Sequence, residues 1–413
     1  MLHTTYRFEY CFFYLIWKDY IWLRIYILLK TEGHIYEPYI YNIRLNHFSG
    51  GKILFKLLDS NIQVINSLSD KYKFNYTKKS ISKFKKNKYF RLIGMGGSIL
   101  GTQAIYDFLN NKTKKNFSFI DNLKPFRQKN KKKYTNLIVS KSGNTIETIV
   151  NANILIKNKD KNIFITEKRK SYLYYLALKL KADIIHHNNF IGGRYSVLSE
   201  VGMLPAQLMN LNPNKFKKFN SLINNKNFID NLVLNVASTV YFLKQKKFNS
   251  IVINYDTDSE NLFKWYQQLV AESLGKKKMG LLPVVSNMPK DNHSLMQLYL
   301  DGFKNNFFTF FYVKESKSEK INNNLILSSQ KYLKNKDLSK IILAQKKATE
   351  NVFIKKNIPF RSFEIKKRNE KTLGELFSFF ILETILIGKM LNLNPYDQPA
   401  VELIKNETKK ILI

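Results

Sequence analysis

Short apolar runs alternate with amphipathic stretches from residue 88 onward. The segment "KYFRLIGMGG" (88–97) predicts a buried strand that ends in glycines, and residues 98–109 predict the helix that follows it. Further strands are predicted at 117–121, 134–142, 161–167 and 182–187, with helices at 144–157 and 171–180. Strands that alternate with helices indicate a parallel sheet that is covered by helices on both faces.

A second cycle of strands and helices follows a polar, Asn- and Lys-rich connection at 212–230. Its predicted strands are 249–256 and 306–313, and its predicted helices are 259–274 and 372–391. The two cycles look like related α/β units, and no short-period repeat is visible. We therefore predict two α/β domains, at 36–215 and 216–413, after an N-terminal extension at 1–35 of unclear role.

The extension is strongly aromatic and apolar, but Lys18, Asp19 and Arg24 interrupt it. A membrane-spanning helix needs about twenty nearly uninterrupted apolar residues, and a signal peptide needs a shorter apolar core with a small-residue cleavage site. Neither pattern fits well. The alternatives are an interfacial helix, an irregular extension packed on the body, or a start codon placed too far upstream, and we expect an extension without a catalytic role.

The net charge of +37 is the most conspicuous bulk property of the chain. Such a charge can indicate binding to nucleic acid or to an anionic membrane. Lysine is accompanied here by many Asn, Ile, Phe and Tyr residues, whose codons are AT-rich, so genomic base bias is the simpler cause. No nucleic-acid-binding module is recognisable. The charge would still attract an anionic substrate.

Cys11 is the only cysteine of the chain, and the six histidines are scattered. The sequence therefore predicts no disulfide framework and no cysteine cluster for zinc, and a metal site is not expected. A reducing, cytoplasmic location fits this composition.

The motif "GMGGS" (94–98) lies where the first predicted strand ends and a helix begins. At such a junction, glycines let a ligand approach the backbone, and amide groups with the helix dipole receive an anion. The rival interpretation is a dinucleotide fold with Asp121 as the ribose-binding acid. That fingerprint requires a third glycine at the position of Ile99, so this interpretation is weak.

The motif "SKSGNTIET" (140–148) repeats this geometry after the strand that ends near 139. Ser140, Ser142 and Thr145 place three hydroxyl groups around a glycine, with Lys141 among them. Helix capping accounts for one hydroxyl group, with Ser142 or Asn144 as the cap. The cluster of three favours a site for a phosphomonoester, and no nucleotide-binding pattern is present.

Three further segments carry candidate chemistry. In "FIGGRYSVLSEVG" (190–202), paired glycines precede Arg194, which can point inward and stabilise developing negative charge. Within 259–274, Gln268 and Glu272 lie one helical turn apart and off the apolar stripe, so they face either solvent or a cleft. His293 after a turn and Lys405 within a C-terminal helix are ordinarily surface residues.

Taken in this order, the motifs resemble those of the glucose-6-phosphate isomerase (phosphoglucose isomerase) family, of the bacterial type. Residues 189–202 look like the Gly-Gly-Arg-Tyr-Ser signature of the family, and "GKMLNLNPYDQPAVELIK" (388–405) looks like its C-terminal signature. The resemblance runs from about residue 88 to the C-terminus, with a looser fit from about 36. It implies two sugar-isomerase (SIS) domains, each a parallel sheet between helices, and a homodimer with its active sites at the subunit interface.

The resemblance also implies the reaction and the residues that carry it. The reaction is the reversible interconversion of glucose 6-phosphate and fructose 6-phosphate through a cis-enediol, without a metal or an organic cofactor. By resemblance Glu272 is the catalytic base and Arg194 steadies the enediolate, while His293, from the neighbouring subunit, and Lys405 open the sugar ring. The implied phosphate and substrate contacts are Gly97, Ser98, Ser140, Lys141, Ser142, Thr145, Gln268 and Gln398.

The sequence departs from the family pattern at two signature positions. Glu200 stands where a small residue is usual, and Asn144 stands where threonine is common. Neither position carries the implied chemistry, so a change in local packing is expected rather than a loss of activity. Two alternatives stay open: a non-catalytic regulator that binds sugar phosphates, and an isomerase that also accepts mannose 6-phosphate.

Overall fold

The computed structural model describes residues 49–58, 60–125, 132–157, 160–315 and 318–413, together with strand backbone at 13–17 and 21–26. Of residues 49 and 50 it describes the backbone alone.

The strands of the described residues are β1 (Phe13–Trp17), β2 (Ile21–Tyr26), β3 (Tyr89–Ile93), β4 (Asn116–Ile120), β5 (Thr135–Val139), β6 (Lys161–Glu167), β7 (Asp183–His187), β8 (Asn249–Asn254), β9 (Leu282–Asn287), β10 (Asn306–Val313) and β11 (Phe360–Ile365).

The α-helices are α1 (Ser49–Leu58), α2 (Gln63–Leu68), α3 (Lys78–Ser82), α4 (Leu100–Phe108), α5 (Ile146–Leu155), α6 (Tyr172–Lys179), α7 (Glu200–Leu208), α8 (Pro213–Phe216), α9 (Phe219–Ile223), α10 (Lys226–Lys244), α11 (Glu260–Leu274), α12 (Met296–Asp301), α13 (Leu338–Lys355), α14 (Glu370–Met390) and α15 (Pro399–Ile411). Short 3-10 helices lie at Gly96–Ser98, Asn110–Lys112, Gly193–Leu198, Thr257–Ser259, Lys290–His293, Asn323–Leu325 and Ser328–Leu333. No helix of the described chain combines the length and the apolar character that a membrane crossing requires.

The chain forms two compact units, and each is made of separate stretches of sequence. One unit contains residues 49–225, 258–282 and 368–413, and the other contains 226–257 and 283–367 together with β1 and β2. The units are thus discontinuous, whereas contiguous domains at 36–215 and 216–413 were expected from the sequence. Those domain boundaries stay a prediction.

The first unit is built on a five-stranded sheet in the order β4-β3-β5-β6-β7. All four strand pairs are parallel, as the alternation of strands and helices predicts. β5 is buried along its whole length, which explains why apolar and polar residues do not alternate along it. Apolar clusters cover both faces of the sheet; Leu92 and Leu137 belong to one of them, and Ile93 and Ile138 to the other.

The order of the strands reverses between β3 and β5. From β3 the chain crosses to β4 on one side, whereas β5, β6 and β7 follow on the other side. In open parallel sheets such a reversal leaves a crevice at the carboxyl ends of the two central strands, and ligands bind there. The glycines after β3 and the serines after β5 therefore begin at the same crevice.

Helix α11 packs against α4 and α14 in this unit. The stripe of apolar residues expected within 259–274 is buried, and the Trp265 and Phe377 rings meet edge-on with centroids 4.8 Å apart. The side chain of Asn369 caps α14 by accepting a hydrogen bond from the N–H of Thr372 at 2.9 Å. α14 is buried over almost its whole length, so its sequence is apolar without a clear polar face.

The second unit is built on a six-stranded sheet in the order β1-β2-β11-β10-β8-β9. β10 is parallel to both β8 and β11, whereas β2 pairs antiparallel with β11 and β1 pairs antiparallel with β2. Two segments of the extension are therefore strands at the edge of this sheet. β9, β11 and the long helices α10 and α13 had no counterpart in the sequence-based prediction.

Candidate active site

The glycines after β3 allow two backbone segments to meet. A Cβ atom on Gly97 would lie 2.1 Å from the carbonyl carbon of Gly193, a distance that no side chain can adopt. Gly96 has a φ of +52°, and a Cβ there would lie 2.6 Å from Nε2 of Gln268. The motif thus places the 3-10 helix Gly96–Ser98 directly against the chain that carries Arg194 and against α11.

Arg194 is buried, and five acceptors surround its guanidinium group. Nε donates to Ser273 Oγ at 2.8 Å, and Nη2 donates to the carbonyl oxygens of Pro395 and Asp397 at 2.7 and 3.0 Å. Nη1 donates to Gln398 Oε1 at 2.6 Å and to Glu272 at 3.2 Å. The inward orientation predicted for this arginine is confirmed.

Glu272 lies on α11 with about a third of its side chain exposed. One carboxylate oxygen is 3.2 Å from Nη1 of Arg194, and the other accepts a hydrogen bond from Gln268 Nε2 at 2.9 Å. The spacing of four residues on the helix brings the two side chains together. The periodicity left open whether Gln268 and Glu272 face solvent or a cleft, and the structure shows that they face a cleft.

A cavity of about 780 Å³ adjoins this group. Its lining includes Glu272 and Gln398, the end of α11, and the chain from 393 to the first turn of α15. The carboxylate can therefore reach a small molecule while the arginine behind it stays out of solvent. A charge in such a setting interacts more strongly with a ligand than it would in bulk water.

The loop after β5 has three hydroxyl groups, as predicted. Ser140 Oγ lies 2.9 Å from Thr145 Oγ1, and it also accepts a hydrogen bond from the N–H of Gly143 at 3.2 Å. Gly143 has a φ of +65°, and a Cβ there would lie 2.1 Å from Ser171 Oγ. The glycine is required both by its backbone conformation and by this close approach.

Capping does not explain these hydroxyl groups. Thr145 stands at the N-cap of α5, and its side chain makes no capping hydrogen bond. Ser142 Oγ accepts from the N–H of Asn144 within the turn, and Asn144 Oδ1 accepts from the N–H of Tyr172. The loop therefore presents hydroxyl and amide groups at the start of a helix, an arrangement suited to a phosphate group.

Two cationic side chains beside this loop pair with the same buried carboxylate. Glu167, at the end of β6, lies 3.5 Å from Nζ of Lys141 and 3.2 Å from Nε of Arg169. Arg169 also donates from Nη2 to the carbonyl oxygen of Ser142 at 3.2 Å. One negative charge between two positive charges leaves the rim of the loop positive.

The structure does not bring every predicted residue into this group. His293 is exposed at the end of a 3-10 helix in the other compact unit. Lys405 Nζ forms an ion pair with Glu402 at 2.6 Å on α15, whose residues are exposed. The roles assigned to both residues stay predictions.

Sequence reasoning missed the residues that fix Arg194 in place. Tyr195 OH donates to the carbonyl oxygen of Pro395 at 2.8 Å and lies 2.7 Å from Ser273 Oγ. Burial raises the pKa of Tyr195, against the opposing effect of Arg194, so the phenol stays protonated. Trp265 Nε1 donates to the carbonyl oxygen of Arg194 at 3.1 Å. Ser273 directly follows Glu272 in sequence, and this adjacency was the available signal.

The described residues contain no group of three or more His, Cys, Asp and Glu side chains arranged to hold a metal ion. Asp121, which the dinucleotide interpretation assigned to a ribose, accepts a hydrogen bond from Gln103 Nε2 at 2.9 Å instead.

Comparison with known proteins identifies relatives along most of the chain. The glucose-6-phosphate isomerase of Methanocaldococcus jannaschii is 35% identical over 345 residues, which cover 78% of this chain and 82% of that protein. The enzyme of the same name from Campylobacter jejuni is 30% identical over 406 residues, covering 93% and 97%. The crystal structure of a glucose-6-phosphate isomerase from Chlamydia trachomatis is 16% identical and has a TM-score of 0.74, covering 94% of this chain and 88% of that one.

The structural likeness shows the fold, in which sheets of mainly parallel strands are flanked by helices. A model of the family described as "Phosphoglucose isomerase" matches residues 64–413, a stretch that contains the Arg194 and Glu272 group and both signatures. With this match and the two relatives at 30% identity or more, the chain belongs to the phosphoglucose isomerase family.

Proposed function

We propose that this protein catalyses the reversible isomerisation of glucose 6-phosphate and fructose 6-phosphate, an aldose–ketose step of glycolysis and gluconeogenesis. The observation that carries the proposal is the contact of buried Arg194 with the Glu272 carboxylate at 3.2 Å, beside a cavity. Proton transfer between neighbouring carbons needs a base, which a carboxylate can be, and a fixed cation for the oxygen that becomes negative. Family membership supports the same reaction.

Glu272 acts as the base in this proposal. It removes the proton from C2 of the open-chain aldose while the C1 carbonyl oxygen gains the electron pair, which gives a cis-enediolate. The same carboxylate returns the proton to C1, and the hydroxyl proton passes from O2 to O1, which gives the ketose. Arg194 stabilises the negative oxygen, because its position is fixed before the reaction and costs little reorganisation.

The phosphate group binds at the loop after β5 in this proposal. Ser140, Ser142 and Thr145 supply hydroxyl groups there, and Lys141 supplies a charge. Gly97, Ser98, Gln268 and Gln398 contact the sugar. Binding energy from the distant phosphate holds C1 and C2 against the base, so the loop contributes to catalysis without touching the reacting atoms. The proton acceptor and the cation are both side chains, so the proposed reaction uses no metal or organic cofactor.

Ring opening is assigned to His293 and Lys405. His293 is exposed, which suits a histidine that acts on the neighbouring subunit of a homodimer. Lys405 lies on α15, whose first turn lines the cavity, and its ion pair with Glu402 is exposed and readily exchanged. A cytoplasmic location fits the proposed glycolytic role and the single cysteine.

A non-catalytic sugar-phosphate regulator would have no need for Glu272, Arg194, His293 and Lys405, and the chain has all four. Mannose 6-phosphate differs from glucose 6-phosphate only in how the hydroxyl group at C2 is oriented. Whether the enzyme also accepts mannose 6-phosphate is decided by assay.

The test is a coupled assay of the purified protein with fructose 6-phosphate, in which glucose 6-phosphate is oxidised by a dehydrogenase. We expect turnover within the ordinary range of enzymes, about 1 to 1,000 per second. A parallel assay measures fructose 6-phosphate released from mannose 6-phosphate. Binding of fructose 6-phosphate without any turnover would overturn the proposal and favour the regulator.

A further inference from the structure

A buried polar cluster lies behind the chain that carries Arg194. Glu200, the first residue of α7, is fully buried, and its carboxylate accepts hydrogen bonds from Tyr72 OH at 3.0 and 3.1 Å and from the N–H of Asn75 at 3.1 Å. Lys217 follows α8 and is also buried; its Nζ faces the Tyr72 ring, with the centroid 4.8 Å away. We call Glu200, Lys217, Tyr72, Tyr76 and His187 the Lys217 cluster.

Burial of these two charged residues requires an explanation. Lysine and glutamate are almost never fully buried unless they are paired, because removing either charge from water is costly. Burial lowers the pKa of Lys217 to about 7, although the charge of Glu200 opposes the shift. Burial alone raises the pKa of Glu200, but contacts with His187 and with backbone N–H groups outweigh it and lower the pKa.

The cluster holds the Arg194 segment, which we define as residues 188–199, near both of its ends. Nε2 of His187 lies 3.0 Å from the carbonyl oxygen of Ile191, and a carbonyl oxygen only accepts, so this nitrogen is the donor. At the other end, Lys217 Nζ donates to the carbonyl oxygen of Leu198, the last residue of the 3-10 helix that contains Arg194. The same Nζ donates to the carbonyl oxygen of Ser67 in α2.

We infer that Lys217 is a positioning residue for the proposed isomerisation, because its two buried hydrogen bonds fix the Arg194 segment to α2 and so hold Arg194 at Glu272. The inference rests on the proposed function. Lys217 touches neither substrate nor the reacting atoms; it acts through the backbone of the 3-10 helix. A lysine side chain keeps two N–H groups when it is neutral, so both hydrogen bonds persist on either side of its pKa.

Lys217→Met tests this role, because methionine retains an apolar chain of similar length but cannot donate. We expect kcat for fructose 6-phosphate to fall by about 10-fold to 100-fold with little change in KM, because a small displacement of Arg194 affects the transition state most.

Lys346→Met is the matched control. Lys346 is also buried, and its Nζ lies 2.8 Å from both Glu350 and Glu364 in the other compact unit. Its loss should lower the midpoint of urea unfolding, as we also expect for the loss of Lys217, but leave kcat within about twofold. Lys217→Gln retains N–H donors and should recover part of the lost kcat; it also serves if Lys217→Met does not fold. Wild-type kcat in folded Lys217→Met would overturn the inference.

A second measurement does not depend on turnover. The chain has three tryptophans, and Trp265 donates to the carbonyl oxygen of Arg194. In protein labelled with 5-fluorotryptophan, the ¹⁹F resonance of Trp265, assigned with Trp265→Phe, should move in Lys217→Met and stay in place in Lys346→Met. An unmoved resonance in both variants would contradict the positioning role. If the wild-type protein does not isomerise fructose 6-phosphate, the proposed function fails, and this resonance still tests whether Lys217 holds the segment.

Discussion

The guanidinium group of Arg194 shows how one residue is held rigid for chemistry. Its five acceptors come from α11, from the loop before α15 and from the residue at the start of α15. Lysine could not replace it, because a single ammonium group cannot reach acceptors arranged around a planar fork. Because only one of the five acceptors carries a full negative charge, the guanidinium retains positive charge that can act on a substrate oxygen.

Gly97 offers a test of the close approach that supports this arrangement. Gly97→Ala forces the backbone of Gly193 to move, because the added Cβ would lie 2.1 Å from its carbonyl carbon. We expect kcat/KM to fall by about 100-fold or more, since the displaced backbone carries Arg194. Gly192→Ala is the control, because its added Cβ meets only the Tyr195 ring at 3.5 Å. Equal activity of the two variants would show that the contact does not matter.

Lys217 predicts a pH dependence of stability. Its pKa is about 7 in the folded protein and 10.5 ordinarily, so between these values the unfolded chain binds more protons. The free energy of unfolding therefore increases as pH rises from about 7 towards 10, because the folded protein holds Lys217 uncharged there. Below about 7 the lysine is charged in both states, and the full cost of burying its charge destabilises the folded protein. Glu200 acts on its charge directly and the Tyr72 ring lies 4.8 Å from its Nζ, while Tyr76 and His187 act on Glu200. Urea unfolding of wild type and Lys217→Met across this range should show a difference in the free energy of unfolding that changes with pH. A difference that stays constant with pH would contradict the lowered pKa of Lys217.

At the scale of elements, the site depends on where parallel strands end. β3 and β5 are neighbours, so their carboxyl ends bring the glycine motif and the serine loop to one crevice. Helix α11 is far away in sequence but packs against α4, which follows the glycine motif directly. The proposed catalytic and phosphate-binding groups thus come from elements that the sheet and its helices fix.

The loop after β5 predicts a separation of binding from turnover. Lys141→Ala or Ser142→Ala should raise KM for fructose 6-phosphate by about tenfold with a smaller change in kcat, because the phosphate lies away from the reacting carbons. Lys168→Ala is the control for charge, since Lys168 is exposed and directly follows Glu167, the last residue of β6. Unchanged KM in both loop variants would remove these residues from the phosphate site.

Much of the first unit could be predicted from sequence, and the second unit less. The strands from 89 to 187 have strongly apolar runs bounded by glycine or polar residues, so their positions are evident. β11 contains Arg361, which is buried and donates to Thr309 and Asn235, and a charged residue within a strand obscures its burial pattern. The acceptors around Arg194 include backbone carbonyls, which no sequence pattern identifies.

At the scale of the whole molecule, the extension contributes structure to a sheet. β2 pairs antiparallel with β11 from Ile21 to Tyr26, and β1 covers β2. Deleting the first 32 residues would leave the edge of β11 without its partner, and unpaired strand edges favour association between chains.

We therefore expect the protein truncated before Gly33 to have a lower unfolding temperature and to aggregate at lower concentration. Its kcat, measured on the soluble fraction, should match that of the full chain, because the proposed catalytic residues lie outside the extension. Circular dichroism during heating measures the first effect, and light scattering measures the second. A truncated protein as stable and as soluble as the full chain would show that the two strands are dispensable.

The most direct test of the account is the turnover of Glu272→Gln. Glutamine keeps the size of the side chain and can still accept a hydrogen bond from Arg194, but it cannot take a proton from carbon. We expect kcat to fall by about 1,000-fold or more while fructose 6-phosphate still binds, with Glu260→Gln at the start of the same helix as the control. Near-normal turnover of Glu272→Gln would contradict the claim that Glu272 moves the proton.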